Sequence, residues 1–599
     1  MCGIVGKISF NNTSIYKEDL KRMADTISHR GPDGEGFWVN KTQNIGFGHR
    51  RLAIIDLSEK GHQPMHFNHL SITFNGEIYN YLELKEILIK KGYLFKTNTD
   101  TEVVLAAYQE YDEECLNYFD GMFAFAIWDE NKKEVFAARD RFGEKPFYYF
   151  KNNNQFVFAS EMKAIFATGI PKRKSDKAIF FYLTYDVIEN PHNKQETFYE
   201  DIFQLPPSHA LKLKLNGELT IKKYWDINVY KKIHLSEEDA LEQFNALFKE
   251  SIQRRLRSDV LVGSSFSGGI DSSSIVANIT TLFPNTTLNT FTARFDDKNY
   301  DEGLFVESML NQQSFTPNYC WPKDNLIVDE LDKIFYHQEE PFGSTSIIAQ
   351  WEVMKLAQKK NVTVLLDGQG ADETLAGYYK YFIPFLSELY KTNRQEYQKQ
   401  LSTINENLDL GDFLPKRFKL ESKWPKTTQL VGNTIRPLRM RNIATDLTPE
   451  FINSHKKNPS PFDRINTLND ALYFDTFQYG LGKLLRFSDR NSMAFSREVR
   501  LPYLSHQLVE FVFSLPNEMK MRNGWSKYIL RKNSEDIVPK EICWRKDKKG
   551  FQAPSSWMNN KKVQELVSDS INTLQKNKYV TSPEKKNNWK YIMVSKLLS

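Results

Sequence analysis

The chain has 599 residues, 40% hydrophobic and 26% charged, the profile of a soluble globular protein of several domains. Its 80 basic and 75 acidic residues leave a net charge of only +5, which gives no electrostatic case for nucleic acid or an anionic membrane as partner. The four cysteines, at 2, 115, 320 and 543, form no CxxC pair, so neither a zinc ribbon nor a disulfide scaffold fits and a reducing, cytoplasmic setting is expected. The N-terminus shows no leader pattern, and no run approaches the ~18 apolar residues of a membrane span.

In chain order, residues 1–225 read mostly as strands with two helices. GIVGKISF, LSITFNGEIYN, GMFAFAIWD, KEVFAARDR, PFYYF and QFVFAS are short β-rich runs split by Gly, Asn and charged turns. NYLELKEILIKKG places apolar residues at helical spacing between an Asn start and a Gly stop, and DTEVVLAAYQEYDEECLNYF is the second helix. Antiparallel sheets with helices on their outer faces are expected. WDINVYKKIH reads as the connector, giving domains at 1–227 and 236–599. After it, LSEEDALEQFNALFKESIQRRLRS is a helix with Ser236 as its N-cap. Strand DVLVGSSF, helix SSSIVANIT, strand LNTFTARF, helices EGLFVESMLNQQ and AQWEVMKLAQKK, and strand VTVLLDG follow. Such alternation argues for a parallel α/β sheet. Residues 380–480 carry no strand signal and read as helical and polar.

Two sets of residues carry chemistry. SGGIDSS, at 267–273, lies between a strand and a helix, where small residues let backbone N–H groups approach a phosphate. No GxxxxGK[ST] occurs, so this is not a Walker A loop; SGGxDS is the pattern of enzymes that split ATP into AMP and pyrophosphate. Asp271 suits a Mg²⁺ bridging to phosphates, and Asp372, after the strand ending at Gly368, could share that metal. Arg486 and Lys548 are the best-placed cations for a polyphosphate transition state. At the other end of the chain, Cys2 follows the initiator methionine. Once Met1 is removed, the α-amine, with a reference pKa of about 7.7–8.0, can serve as the thiol's own general base. Asn75 and Gly76 can form an oxyanion hole, Arg51 suits a substrate carboxylate, and Asp100 suits a substrate ammonium. A thiol, an arginine and an aspartate together fit a free amino acid with an amide side chain, and glutamine answers to that. His62, His66 and His69 are spaced like metal ligands, but no second ligand group accompanies them, which argues against zinc.

MCGIVG, SHRGPDG, GHRRLAIIDLS, FNGEIYN and DRFGEKPFYY together resemble the class II glutamine amidotransferases, which use an N-terminal nucleophile. FSGGIDSS, GQGADE, SREVRLPYLSH and RKDKKGF resemble the synthetase half of the glutamine-hydrolysing asparagine synthetases. The resemblance implies an N-terminal αββα sandwich and a C-terminal parallel-sheet pyrophosphatase domain with added helices. It implies that Cys2 attacks the glutamine amide while Asn75 and Gly76 hold the oxyanion. Glutamine would be bound by Arg51, the strand Leu52, Ala53, Ile54 and Ile55, and Glu77 and Asp100. Ammonia would cross an internal tunnel to a second site, where ATP and Mg²⁺ activate the aspartate β-carboxylate as an adenylate. There Ser267, Gly268, Gly269, Asp271, Ser272 and Asp372 would hold pyrophosphate and metal. Ser265 and Ala293 would contact the adenosine, Asp367 and Gly368 would lie beside the adenylate, and Lys548 would contact phosphate. Glutamine, aspartate and ATP are then the expected partners, and a homodimer stays open.

Two departures bear on the acceptor. Where the family's asparagine synthetases commonly have Ser-Gly-Glu-Gly, this chain has Asp367-Gly368-Gln369-Gly370, and Ser505 stands where the family often has Asp. Neither touches Cys2 or the phosphate loop. They leave open an amidotransferase acting on another carboxylate, such as one on a surface sugar or a secondary metabolite. A catalytically silent binding protein is disfavoured by Cys2, Asp271 and Lys548.

Overall fold

The computed structural model describes residues 2–11, 13–407, 446–456, 458, 461–462, 465, 467–546, 552–581 and 588–599. Two six-stranded antiparallel sheets form the N-terminal half. The first runs β10 (Ile202–Gln204), β8 (Tyr148–Lys151), β9 (Gln155–Ala159), β1 (Gly3–Ser9), β3 (Ile45–Arg51), β2 (Gly34–Val39). The second runs β12 (Leu219–Lys223), β11 (His209–Lys214), β7 (Glu134–Arg139), β6 (Gly121–Asp129), β5 (Leu70–Ile78), β4 (Met65–Phe67).

The period-two alternation of β6 explains the layering. Ala124, Ala126 and Trp128 pack with Ile4, Phe47 and Phe158 between the sheets. Phe123, Phe125 and Ile127 face the other way, onto Leu84, Leu88 and Val104 of the helices Tyr81–Lys90 and Asp100–Tyr111. On the far side of the first sheet, Val5 and Val157 pack with residues of the helices Lys17–Asp25, Met162–Phe166 and Asp176–Tyr185. The result is an αββα sandwich, the fold expected for this half. Three of its five helices go beyond the two read from the sequence. Lys17–Asp25 offers only Leu20, Met23 and Ala24 to the core, and DKAIFFYLTY is rich in aromatic residues that read as β; packing against the first sheet makes both helical.

The C-terminal half opens with the helix Glu237–Arg255, whose N-cap Ser236 accepts a hydrogen bond from the Asp239 N–H, as the sequence predicts. Its sheet is wholly parallel, in the order β15 (Thr316–Cys320), β14 (Asn289–Ala293), β13 (Val262–Ser265), β16 (Val364–Leu366), β17 (Glu498–Arg500). β15 and β17 carry no strand signal: one contains Pro317, the other three residues of charged sequence held fully buried. The order reverses between β13 and β16, so the loops after these two strands flank a crevice at their carboxyl ends. Within 380–480 the helices Phe382–Thr392, Arg394–Asn407, Pro449–His455 and Leu468–Tyr473 agree with the helical reading; residues 408–445 lie outside the described set. No helix among the described residues is long and apolar enough to cross a membrane.

Candidate active site

Cys2 sits just before β1 and is buried. Its backbone nitrogen donates to Asn75 Oδ1 at 3.0 Å, and its thiol points at the Leu52 carbonyl, 3.9 Å away. Burial pushes the thiol pKa up. The Asn75 side-chain nitrogen is buried and has no hydrogen-bond partner among the described residues. It is a donor left free beside the thiol, as an oxyanion hole requires. Gly76 is required by close approach: a Cβ there would stand 2.1 Å from the Met122 carbonyl oxygen. β5 thus delivers Asn75, Gly76 and Glu77 from the second sheet to Cys2, at the start of an interior strand of the first.

β3 ends at Arg51, so residues 52–55, expected as strand, run on as irregular backbone. Their polar groups are used elsewhere than in a ladder. The Ala53 N–H bonds the Asp33 carboxylate at 2.9 Å, and the Ile54 carbonyl accepts from Asp259 of the other half. Arg51 is clasped by the carbonyls of Ser58 and Asp56. Asp100 begins the helix Asp100–Tyr111 and accepts the Ile78 N–H at 2.9 Å. Its burial pushes its pKa up to about 7, partly offset by the N–H groups of Ile78 and Thr101. Glu77 is also raised, first by burial and then by Asp100. A buried carboxylate of this kind is primed to take a cation.

In the other half, the crevice at β13 and β16 is a cavity of about 900 Å³. Ser265, Ser267, Gly269, Asp271 and Ser272 line it from the first loop, and Asp367, Gly368 and Asp372 from the second. Ala293, at the end of β14, lines it as well. Gly268 lies in the same loop with φ +76°, and a Cβ there would meet the Phe305 side chain at 2.8 Å. Lys527 binds both carboxylates: its Nζ is 2.6 Å from Asp372 and bonds both oxygens of Asp271. Two carboxylates that converge on one cation fit a Mg²⁺ shared with phosphate oxygens.

Residues 1–225 match the family model for the glutamine amidotransferase domain, and residues 243–589 match that for asparagine synthase. The chain is 32% identical to asparagine synthetase [glutamine-hydrolyzing] 1 of Bacillus subtilis, over 97% of this chain and 91% of that protein. It belongs to the glutamine-hydrolysing asparagine synthetase family. It is also 37% identical to a putative asparagine synthetase [glutamine-hydrolyzing] 2 of Methanocaldococcus jannaschii, over 63% of this chain and 76% of that one. The amidase chry2 of Gibberella zeae is 29% identical, over 92% of this chain and 88% of that protein.

For an asparagine synthetase family member, one expected cation is placed away from the site. Arg486 does not reach the cavity: its guanidinium pairs with Glu340 and donates to the Pro341 carbonyl at 2.7 Å. Burial on the helix Gly480–Ala494 demands a local counter-charge, which spacing does not reveal. Lys548 lies outside the described residues. Ser505 precedes the helix His506–Ser514 and does not line the cavity, whereas Gln369 does, with a buried Oε1 that has no partner among the described residues. Lys527 escaped sequence reading because GWSKYIL has no motif around it. Its left-handed backbone, φ 53°, is visible only in three dimensions.

Proposed function

We propose that the enzyme makes L-asparagine, L-glutamate, AMP and pyrophosphate from L-aspartate, L-glutamine and ATP. In this reading residues 1–227 hydrolyse glutamine and residues 236–599 activate and amidate the acceptor. Cys2 attacks the glutamine amide, and its own α-amine takes the thiol proton. Asn75 and Gly76 hold the oxyanion, while Arg51 and Asp100 grip the α-carboxylate and α-ammonium. In the second half the 267–272 loop and Lys527 hold the phosphates, and Asp271 and Asp372 would hold a Mg²⁺ that supplies positive charge to the phosphates. Adenylation gives the poorly electrophilic β-carboxylate a leaving group.

The observation that carries the reading is the seam between the two centres. Leu52, Ile54, Tyr79 and Met122 of the first half pack with Val364 and Met493 of the second in one apolar cluster. Leu52 is the residue whose carbonyl meets the Cys2 thiol, and Val364 begins the strand that leads to Asp367. An apolar passage there keeps ammonia unprotonated and nucleophilic.

Gln369 favours a second reading, in which another carboxylate replaces aspartate, because a neutral amide stands on the cavity wall where the family's asparagine synthetases commonly carry a glutamate charge. ATP–pyrophosphate exchange across a panel of carboxylic acids separates the two. Exchange strongest with aspartate supports the first reading; exchange absent with aspartate and strong with another acid replaces it.

A further inference from the structure

The charged groups behind Cys2 form a junction that the reaction as described does not use. Arg30, fully buried, donates from Nε to the Cys2 carbonyl at 3.0 Å. The rest of its guanidinium reaches both Asp489 of the other half of the molecule and Glu161 of its own. It makes two parallel bonds to Asp489, at 2.9 and 3.0 Å, and Nη1 also reaches Glu161 at 2.8 Å. Glu161 is shared with Arg490, at 3.0 Å, which also holds Glu339 at 2.8 Å. With Lys163 on Glu161, the junction sets three cations against three carboxylates, and His29, whose pKa is lowered by burial, adds no charge.

Asp489 lies on the helix Gly480–Ala494, which also places Leu484 and Phe487 on the wall of the synthetase cavity. A two-bonded arginine–carboxylate pair fixes direction as well as distance. Arg30 therefore has one position, and the carbonyl it holds belongs to the residue whose nitrogen and sulfur do the proposed chemistry.

We propose that Asp489 is a positioning residue for glutamine hydrolysis. It acts through Arg30 on the Cys2 backbone, so that the synthetase half supplies part of the scaffold of the glutaminase centre. The proposal rests on Cys2 being the nucleophile. With Asp489 neutralised, Arg30 keeps Glu161 but loses the fork that aims it. Cys2 then samples orientations in which its nitrogen leaves Asn75 and its thiol leaves the attack line.

The test uses the full-length enzyme with Asp489→Asn and Asp489→Glu, the latter keeping the charge but displacing it by one methylene. In both, kcat for glutamine hydrolysis should fall about tenfold to a hundredfold, the scale of a small misplacement. KM for glutamine should move less than about threefold, since Arg51 and Asp100 face the substrate in that reading, and alkylation of Cys2 by an electrophilic glutamine analogue should slow in parallel. Synthesis from added ammonia should stay within about twofold of the parent. Unchanged glutamine hydrolysis, or equal loss of both activities, overturns the proposal. If Asp489→Asn does not fold, Asp489→Glu decides alone, and failure of both to fold makes the residue structural and also overturns it. Cys2→Ala separates the premise: glutamine hydrolysis that survives it removes the nucleophile reading whatever Asp489 does.

Discussion

Asn75 uses its side-chain oxygen on the Cys2 nitrogen and leaves its side-chain nitrogen buried without a partner among the described residues. An unmade bond of that kind costs stability, so its natural use is a charge that exists only during reaction. Asn75→Ala should lower kcat for glutamine hydrolysis by about 10²–10³ while synthesis from ammonia continues, measured as glutamate and asparagine release. Asp100 adds a pH dependence. Burial raises its pKa to about 7, so the free site holds the proton below that pH and loses it above. In the proposed reaction the α-ammonium of glutamine needs the carboxylate, so kcat/KM for glutamine should fall as pH drops through 7. That reaction also needs the α-amine of Cys2 unprotonated, which steepens the acid limb. Asp100→Asn should weaken glutamine binding and leave a shallower acid limb of single-proton slope, read from pH–rate profiles.

At the scale of elements, the parallel sheet ends its two central strands on loops that bring Asp271 and Asp372 together, and Lys527 arrives from a distant turn to bridge them. Burial pulls the Lys527 pKa down, and the Asp271 carboxylate is the first of the groups that oppose that fall. Lys527→Gln removes the cation and leaves two facing carboxylates on the cavity wall. The variant should lose ATP–pyrophosphate exchange and retain glutamine hydrolysis. Mg²⁺ should raise its Tm more than it raises that of the parent, because the lysine ammonium no longer competes with the ion for Asp271 and Asp372.

For the whole molecule, the seam of Leu52, Ile54, Tyr79, Met122, Val364 and Met493 joins the surroundings of Cys2 to those of the synthetase cavity, the route the proposed reaction assigns to ammonia. Filling it should uncouple them without damaging either. Met493→Trp is expected to keep glutamine hydrolysis and ammonia-dependent synthesis while glutamine-dependent synthesis falls, with free ammonia appearing in the medium. Glutamate and pyrophosphate formed in equal amounts by that variant would show that ammonia does not travel there. The enlarged side chain also overpacks a close-fitted core, so about 1–3 kcal/mol of stability should be lost in denaturant unfolding.

Which residues gather at each centre was legible in the sequence. Cys2, FNGEIYN, SGGIDSS and GADE lie in short runs where a backbone turn and a side chain must coincide, and the structure gathers Cys2, Asn75 and Gly76 at one centre and the loop residues with Asp372 at another. The alternation of β6 and the strand–helix alternation after residue 260 likewise set the two fold classes, because periodicity is a local property of which face is buried. What only the tertiary structure decided is where charges find partners. Arg486 is spent on Glu340, Lys527 stands between two acids, and Arg30, which holds the Cys2 carbonyl, reaches Asp489 across 459 positions of sequence. A buried ion must be neutralised by whatever the fold brings within about 3–4 Å, and that neighbour is set by packing, which no spacing in the chain encodes.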